Sequence, residues 1–188
     1  MDVVSRVLAF WFDEPAPDLV ADGDYRMAWF EKNDAFDEAI RDGFEVDVKA
    51  ARVGELDGLM ETPEGCLVLC ILLDQFPRNL YRGSAEAFQS DAKALEIGRH
   101  AVGRDFHKQL GMTRRMFYFL PFEHSENMDD QNTAVELFKA SKDTMTYPYA
   151  LEHYYVISRF GRFPGRNAAL GRETTPEETA FLETFGSY

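Results

Sequence analysis

Apolar positions recur at helical spacing from one end of the chain to the other, and sustained strand-like alternation is missing. Val4, Val7, Leu8 and Trp11 follow the i, i+3, i+4, i+7 pattern and predict a first helix that Glu14-Pro15-Ala16-Pro17 ends. Phe36, Ala39, Ile40 and Phe44 predict a second after Asn33-Asp34, continuing or breaking near Gly43 ahead of Val46, Val48 and Val53. Gly54 and Gly58 then mark a loop. Thr62-Pro63 supplies an N-cap and a first-turn proline for a helix that is apolar over most of its surface. This helix should stop before Pro77, because proline disfavours a helical residue ahead of it.

Ser84 caps the next segment, with Ala85, Phe88, Ala92 and Leu95 on one face and an exit near Gly98 or Gly103. Thr113 starts a short aromatic helix (MFYFL) ended by Pro121, and a further helix is expected over 129–142 with Val135, Leu137 and Phe138 apolar. Pro148 opens a helix that reaches Phe160 and stops at Gly161. Thr175-Pro176-Glu177-Glu178 combines a capping box with a first-turn proline ahead of Phe181, Leu182 and Phe185. About eight or nine helices with short connections predict an all-α fold of antiparallel pairs in a single domain, 1–188, as a bundle or a tetratricopeptide-like right-handed superhelix. The consensus of that repeat is not visible at a period of about 34 residues. One internal echo stands out: Phe76-Pro77-Arg78-Asn79 returns as Phe163-Pro164-Gly165-Arg166-Asn167, which predicts two similar turns after helices.

With 188 residues, 45% hydrophobic and 14% aromatic, the chain can bury a sizeable core without disulfides or a structural metal. The net charge of -13 opposes nucleic acid and anionic lipid, so neither is expected as a partner. Cys66 and Cys70 lie one helical turn apart in CLVLCILL and are expected as small buried hydrophobes, since no second ligand pair stands at metal spacing. The N-terminal stretch has no basic n-region, and the longest apolar run, Cys66 to Leu73, is too short to span a membrane. A cytoplasmic protein is expected.

Charge segregation changes the picture further. His153 to Arg172 carries four arginines and no acidic residue, which leaves -17 in the remainder of a -13 chain. Arginine forks suit carboxylate or phosphate, so something acidic should face Arg159, Arg162, Arg166 and Arg172. Asp74, expected in the last turn of the core helix, needs a cation such as Arg78, Arg82 or one of these arginines to offset the helix dipole. Asn79 and Asn167 add amides beside the two echoed turns. The arginines either brace the fold through internal ion pairs or line a ligand cleft, and the residues are compatible with both. His153 falls on the inward stripe of Tyr149, Val156, Ile157 and Phe160, and His124 follows a proline break. Together His124, Glu126 and His153 are candidates for general acid/base work or a His/Glu metal site. No HExxH or similar ligand pair occurs, so no metal or cofactor is expected. GxSxG, Walker-type, GxGxxG and CxxC motifs are missing too, which leaves hydrolase, nucleotide and thiol-redox readings without support.

Four segments together carry a resemblance: Val7-Leu8-Ala9-Phe10-Trp11-Phe12, Leu73 to Arg82 (LDQFPRNLYR), Leu120 to Glu126 (LPFEHSE), and Arg159 to Asn167 (RFGRFPGRN) with Leu170-Gly171-Arg172. The chain resembles the bacterial family called domain of unknown function 924 over nearly its whole length. The resemblance implies an all-helical, tetratricopeptide-like superhelix in a bacterial cytosol and brings no activity with it. It also implies a histidine at the position of Gly165. This chain departs there, which weakens any proton or metal role placed at that position and leaves the arginines around it in place.

The expectation that follows is one polar cleft formed by Asp74, Arg78, His124, Glu126 and the His153 to Arg172 segment. It would bind a small anionic or polar ligand, with Arg162, Arg166 and Arg172 as clamps. Two alternatives stay open: a helical module that holds a peptide or protein segment, and a scaffold whose motif residues only brace it.

Overall fold

A computed structural model describes residues 1–14 and 17–186, and over these residues the regular structure is helical, without strands. The elements are α1 (Val3–Phe12), α2 (Asp34–Arg52), α3 (Pro63–Cys70), α4 (Phe76–Leu80), α5 (Asp91–Gly103), α6 (Met112–Glu123), α7 (Met128–Ser141), α8 (Tyr147–Phe160) and α9 (Pro176–Phe185). Single 3₁₀ turns punctuate the connections. The expected N-terminal signals operate as capping chemistry. Thr62 accepts from Gly65 N–H ahead of Pro63, Asn33 accepts from Phe36 N–H, and Thr175 and Glu178 close a reciprocal capping box. Gly161 ends α8 in the left-handed region at φ 68°. α1 ends at Phe12 with Asp13 left-handed, ahead of the expected Glu14-Pro15-Ala16-Pro17 break, of which Pro15 and Ala16 lie outside the described residues.

Two helices run through prolines that were expected to end them. α3 passes into a π-helical turn, Ile71–Gln75, and then into α4, so Pro77 sits inside one long rod. Proline removes an N–H and crowds the carbonyl four residues back, here that of Leu73. The wider turn makes room: Phe76 N–H reaches the Ile71 carbonyl, and the Leu73 carbonyl accepts from the Ser90 hydroxyl at 2.8 Å. Asp74 therefore lies mid-rod and not in a last turn. Likewise α6 continues past Pro121 to Glu123, with His124 as its C-cap. α2 runs unbroken through Gly43, and the segment after Ser84 is a single 3₁₀ turn, with α5 starting only at Asp91.

The rod is the centre of the molecule. Every residue from Gly65 to Pro77 is buried, as expected for a helix apolar all round, and α3 packs against α1, α5 and α6. Trp11 stacks on Trp29 and meets Phe76 and Phe117 edge-on in the main core. Burial pushes the Cys66 thiol up to about 12, and the cysteine packs as an apolar group. From α5 to α8 each helix packs on the next, an order compatible with a tetratricopeptide-like array. A smaller apolar cluster of Val156, Ile157, Phe163 and Phe181 ties α8 to α9. No helix among the described residues is long and apolar enough to cross a membrane.

α3 reaches its position only because residue 65 is glycine. A Cβ there would stand 2.0 Å from the Leu59 carbonyl oxygen, whereas one at Gly43 on α2 would meet nothing within 4 Å. Gly65→Ala should lower unfolding free energy by about 3 kcal/mol or prevent folding, and Gly43→Ala should raise it by ~0.5–1 kcal/mol. Urea unfolding of the two variants beside the parent checks both signs.

Candidate functional site

Six elements deliver polar side chains to one buried centre. The π-helical turn and α4 contribute Asp74, Gln75 and Arg78; the end of α6 contributes Glu123 and His124; α8 contributes His153. α5 begins with Asp91, and the 3₁₀ turn Pro164–Arg166 carries Arg166. Asp74 is 1% exposed and receives His124 Nδ1 at 2.8 and 3.0 Å, Arg78 Nη1 at 3.1 Å and the Gln75 amide. Burial alone would raise its pKa, but Arg78 and His124 outweigh burial and hold the carboxyl well below its usual range. An ionised Asp74 fixes the donor on His124 as Nδ1–H. Burial, with Arg78 nearby, depresses the imidazolium form of His124, which leaves a neutral ring with its lone pair on Nε2.

His153 is oriented in the same way by a different acceptor. Its Nδ1 lies 2.9 Å from the Tyr149 carbonyl, one turn earlier on α8, and burial lowers its pKa to about 3. The two imidazoles stand with centroids 6.0 Å apart, and Glu123 Oε1 is 3.3 Å from His153 Nδ1. Glu123 is 3% exposed, and its Oε2 makes no hydrogen bond among the described residues. Burial, then the Asp74 and Glu152 charges, push its carboxyl up to about 8, so it is protonated at neutral pH.

On the solvent side Asp91 accepts from both Nη atoms of Arg78 at 3.0 and 3.1 Å and from Arg166 Nη1 at 3.2 Å. Arg166 also donates to the His124 carbonyl at 3.0 Å, with its guanidinium 4.8 Å from the Phe88 ring centroid and 4.4 Å from that of Phe163. Burial and Arg78 lower its pKa to about 10, and it stays a cation at neutral pH. The sequence echo thus acquires a spatial meaning. Its two copies differ locally, one inside α4 and one in a 3₁₀ turn, yet their arginines meet on one carboxylate.

The remaining candidates lie elsewhere. Glu126 accepts from Arg172 at 2.7 and 3.0 Å and from Phe163 N–H at 2.8 Å, outside the histidine centre. Arg162 pairs with Glu178 at 2.7 and 2.9 Å, and Asn167 bridges Arg172 to Glu178 and Thr174. This adjoining network clamps α9 and residues 161–172 onto the end of α6. Arg159 meets Glu177 at the surface. Asn79 and Arg82 turn to Asp37 on α2, in an open cleft of about 520 Å³ shared with Lys32 and Arg41. Of the residues expected in one cleft, Asp74, Arg78, His124, His153 and Arg166 lie together, Glu126, Arg162, Asn167 and Arg172 form the adjoining network, and Asn79, Arg82 and Arg159 pair elsewhere. Asp91 and Glu123 complete the centre without having been singled out from the sequence. Asp91 reads there as an ordinary acid within the helix expected after Ser84, and Glu123 as the neighbour of a histidine.

A family model for bacterial proteins of unknown function, DUF924, matches residues 7–186. The chain belongs to this family. A solved structure of a protein of unknown function from Agrobacterium tumefaciens is similar at a TM-score of 0.87 and 37% identity, covering 97% of both chains. No curated protein matches. The four motifs that carried the resemblance map onto the site and its supports. LDQFPRNLYR holds Asp74 and Arg78, LPFEHSE holds Glu123 and His124, RFGRFPGRN holds Arg166, and the first packs α1 on the rod.

In this DUF924 protein the Arg162–Glu178 pair is the clearest pH-dependent brace. Hydrogen bonding from Arg162 pulls the buried Glu178 carboxyl from 4.5 to about 2. A depressed carboxyl adds stability above its unfolded pKa and loses it as pH falls through the folded value. Glu178→Gln should cost about 2 kcal/mol at pH 7. The deficit should shrink steadily from pH 4.5 towards 2, as followed by urea unfolding across that range.

Proposed function

We propose that the protein binds a small anionic or polar molecule at the rim of the Asp74–His124 centre, where Arg78, Asp91 and Arg166 meet. One observation carries this reading: two guanidiniums from distant parts of the chain are presented to a single carboxylate that is itself 20% exposed. A ligand carboxylate or phosphate offers the same acceptor geometry as Asp91 and competes for the same donors. Arg166 is held between two aromatic rings, so little side-chain freedom is lost on binding. Behind the rim, the Asp74–His124 pair supplies an oriented neutral imidazole suited to taking up a proton from a bound molecule.

A second reading is a brace with no ligand. It is favoured by Arg82, Arg159, Arg162 and Arg172, each of which ends on an internal carboxylate. Thermal unfolding in a chelator, across carboxylates, phosphates and nucleotides, separates the two. Under the binding reading an anion at 100 times its dissociation constant adds about 2.7 kcal/mol. The gain disappears in Arg166→Gln and grows in Asp91→Asn, where the internal competitor is gone. If no anion stabilises the parent or Asp91→Asn while both variants melt earlier, the brace reading replaces it.

A further inference from the structure

We infer that Glu123, His124 and His153 form a site for one divalent transition-metal ion of the zinc class. A donor atom of each lies within 4.8 Å of the other two. Bonds of ~2.0 Å at a tetrahedral ion place donors about 3.3 Å apart, so the three need to close by about 1.5 Å. Side-chain torsions supply such a movement without shifting α6 or α8. The three come from the last residue of α6, its C-cap and the middle of α8, all backbone positions fixed by helix packing.

Three features of the surroundings favour an ion. Glu123 Oε2 is buried without a hydrogen-bond partner among the described residues, an arrangement that native proteins avoid and that a cation in front of the carboxylate resolves. His124 gives its Nδ1 side to the Asp74 carboxylate, and His153 Nδ1 lies 2.9 Å from the Tyr149 carbonyl and 3.3 Å from Glu123 Oε1. A carboxylate on Nδ1 is a usual partner of a metal-binding imidazole and directs the Nε2 lone pair of His124 to the ion, while His153 offers a ring nitrogen to the same centre. Two imidazoles with one carboxylate suit zinc, cobalt or nickel, and not magnesium or calcium, which take oxygen donors. Three protein donors leave a fourth position for water or substrate. Arg78 and Arg166 oppose a nearby cation, and the carboxylates of Asp74 and Asp91, paired with them, offset that charge.

This site does not rest on the anion reading, since Arg166 is not one of its donors. The chain has four histidines, so His100 and His107 serve as internal controls. Tag-free protein stripped with a chelator is titrated with zinc alone and followed by calorimetry and side-chain ¹⁵N NMR. The expected result is one equivalent bound, with ring nitrogens of His124 and His153 shifting while those of His100 and His107 stay in place. Glu123→Gln should weaken binding at least tenfold and Asp74→Asn about tenfold, while Arg166→Gln keeps a stoichiometry of one. Absence of stoichiometric binding, shifts centred on His100 or His107, or unchanged affinity in Glu123→Gln would overturn the assignment. If Glu123→Gln does not fold, the histidine shifts of the parent protein decide alone.

Discussion

A buried carboxylate in the middle of a helix is the constraint on which the rest of the structure depends. Asp74 is nearly inaccessible to water. A charge taken out of water costs several kcal/mol unless it is paired and hydrogen-bonded. Each partner that meets this requirement fixes another element. Arg78 comes from the next turn of the same rod, and it brings the N-terminus of α5 with it because it also grips Asp91. His124 meets Asp74 where α6 ends and binds Arg166 through its carbonyl, which draws in the turn after α8. The widened turn around Asp74 is also what lets the rod pass Pro77, with Ser90 satisfying the carbonyl that proline displaces.

The arginine-rich segment after α8 follows from the same logic on a larger scale. Its cations face carboxylates on two sides: Glu126 just beyond α6, and Glu177 and Glu178 in the first turn of α9. Glu178 serves at once as capping-box residue, partner of Arg162 and acceptor for Asn167, so the start of α9 and the turn before it order together. The small apolar cluster of Val156, Ile157, Phe163 and Phe181 lies beside this network and buries the same elements. Segregated charge in the sequence is thus largely consumed within the fold. Arg78 and Arg166 differ from the others because both reach one shared, partly open carboxylate.

Much of this was legible in the residues themselves. Caps at Thr62 and Thr175 and the stop at Gly161 depend on neighbours a few positions away, and local chemistry reads them correctly. Pro77 and Pro121 read as ends because their local effect is to break helices. At Pro77 the compensating hydroxyl is Ser90, which the sequence alone does not place beside it. His124 was legible as unusual, while its partner Asp74 lies 50 residues away and the burial that isolates Glu123 exists only once α6 and α8 are packed. Glu126 shows the converse: its chemistry matches a site residue, and in the fold it meets Arg172 and the Phe163 N–H, away from the histidines. Residue type identified the participants, and tertiary packing decided which of them met.

The central claim is that Asp74 and His124 act as one coupled unit at the heart of the fold. A double-mutant cycle of Asp74→Asn and His124→Gln, read by urea unfolding at pH 7, tests it most directly. The account predicts a coupling energy of about 2 kcal/mol, with the double variant much less destabilised than the sum of the singles. Additivity within ~0.5 kcal/mol would contradict it and show that the two side chains share a location without sharing a function.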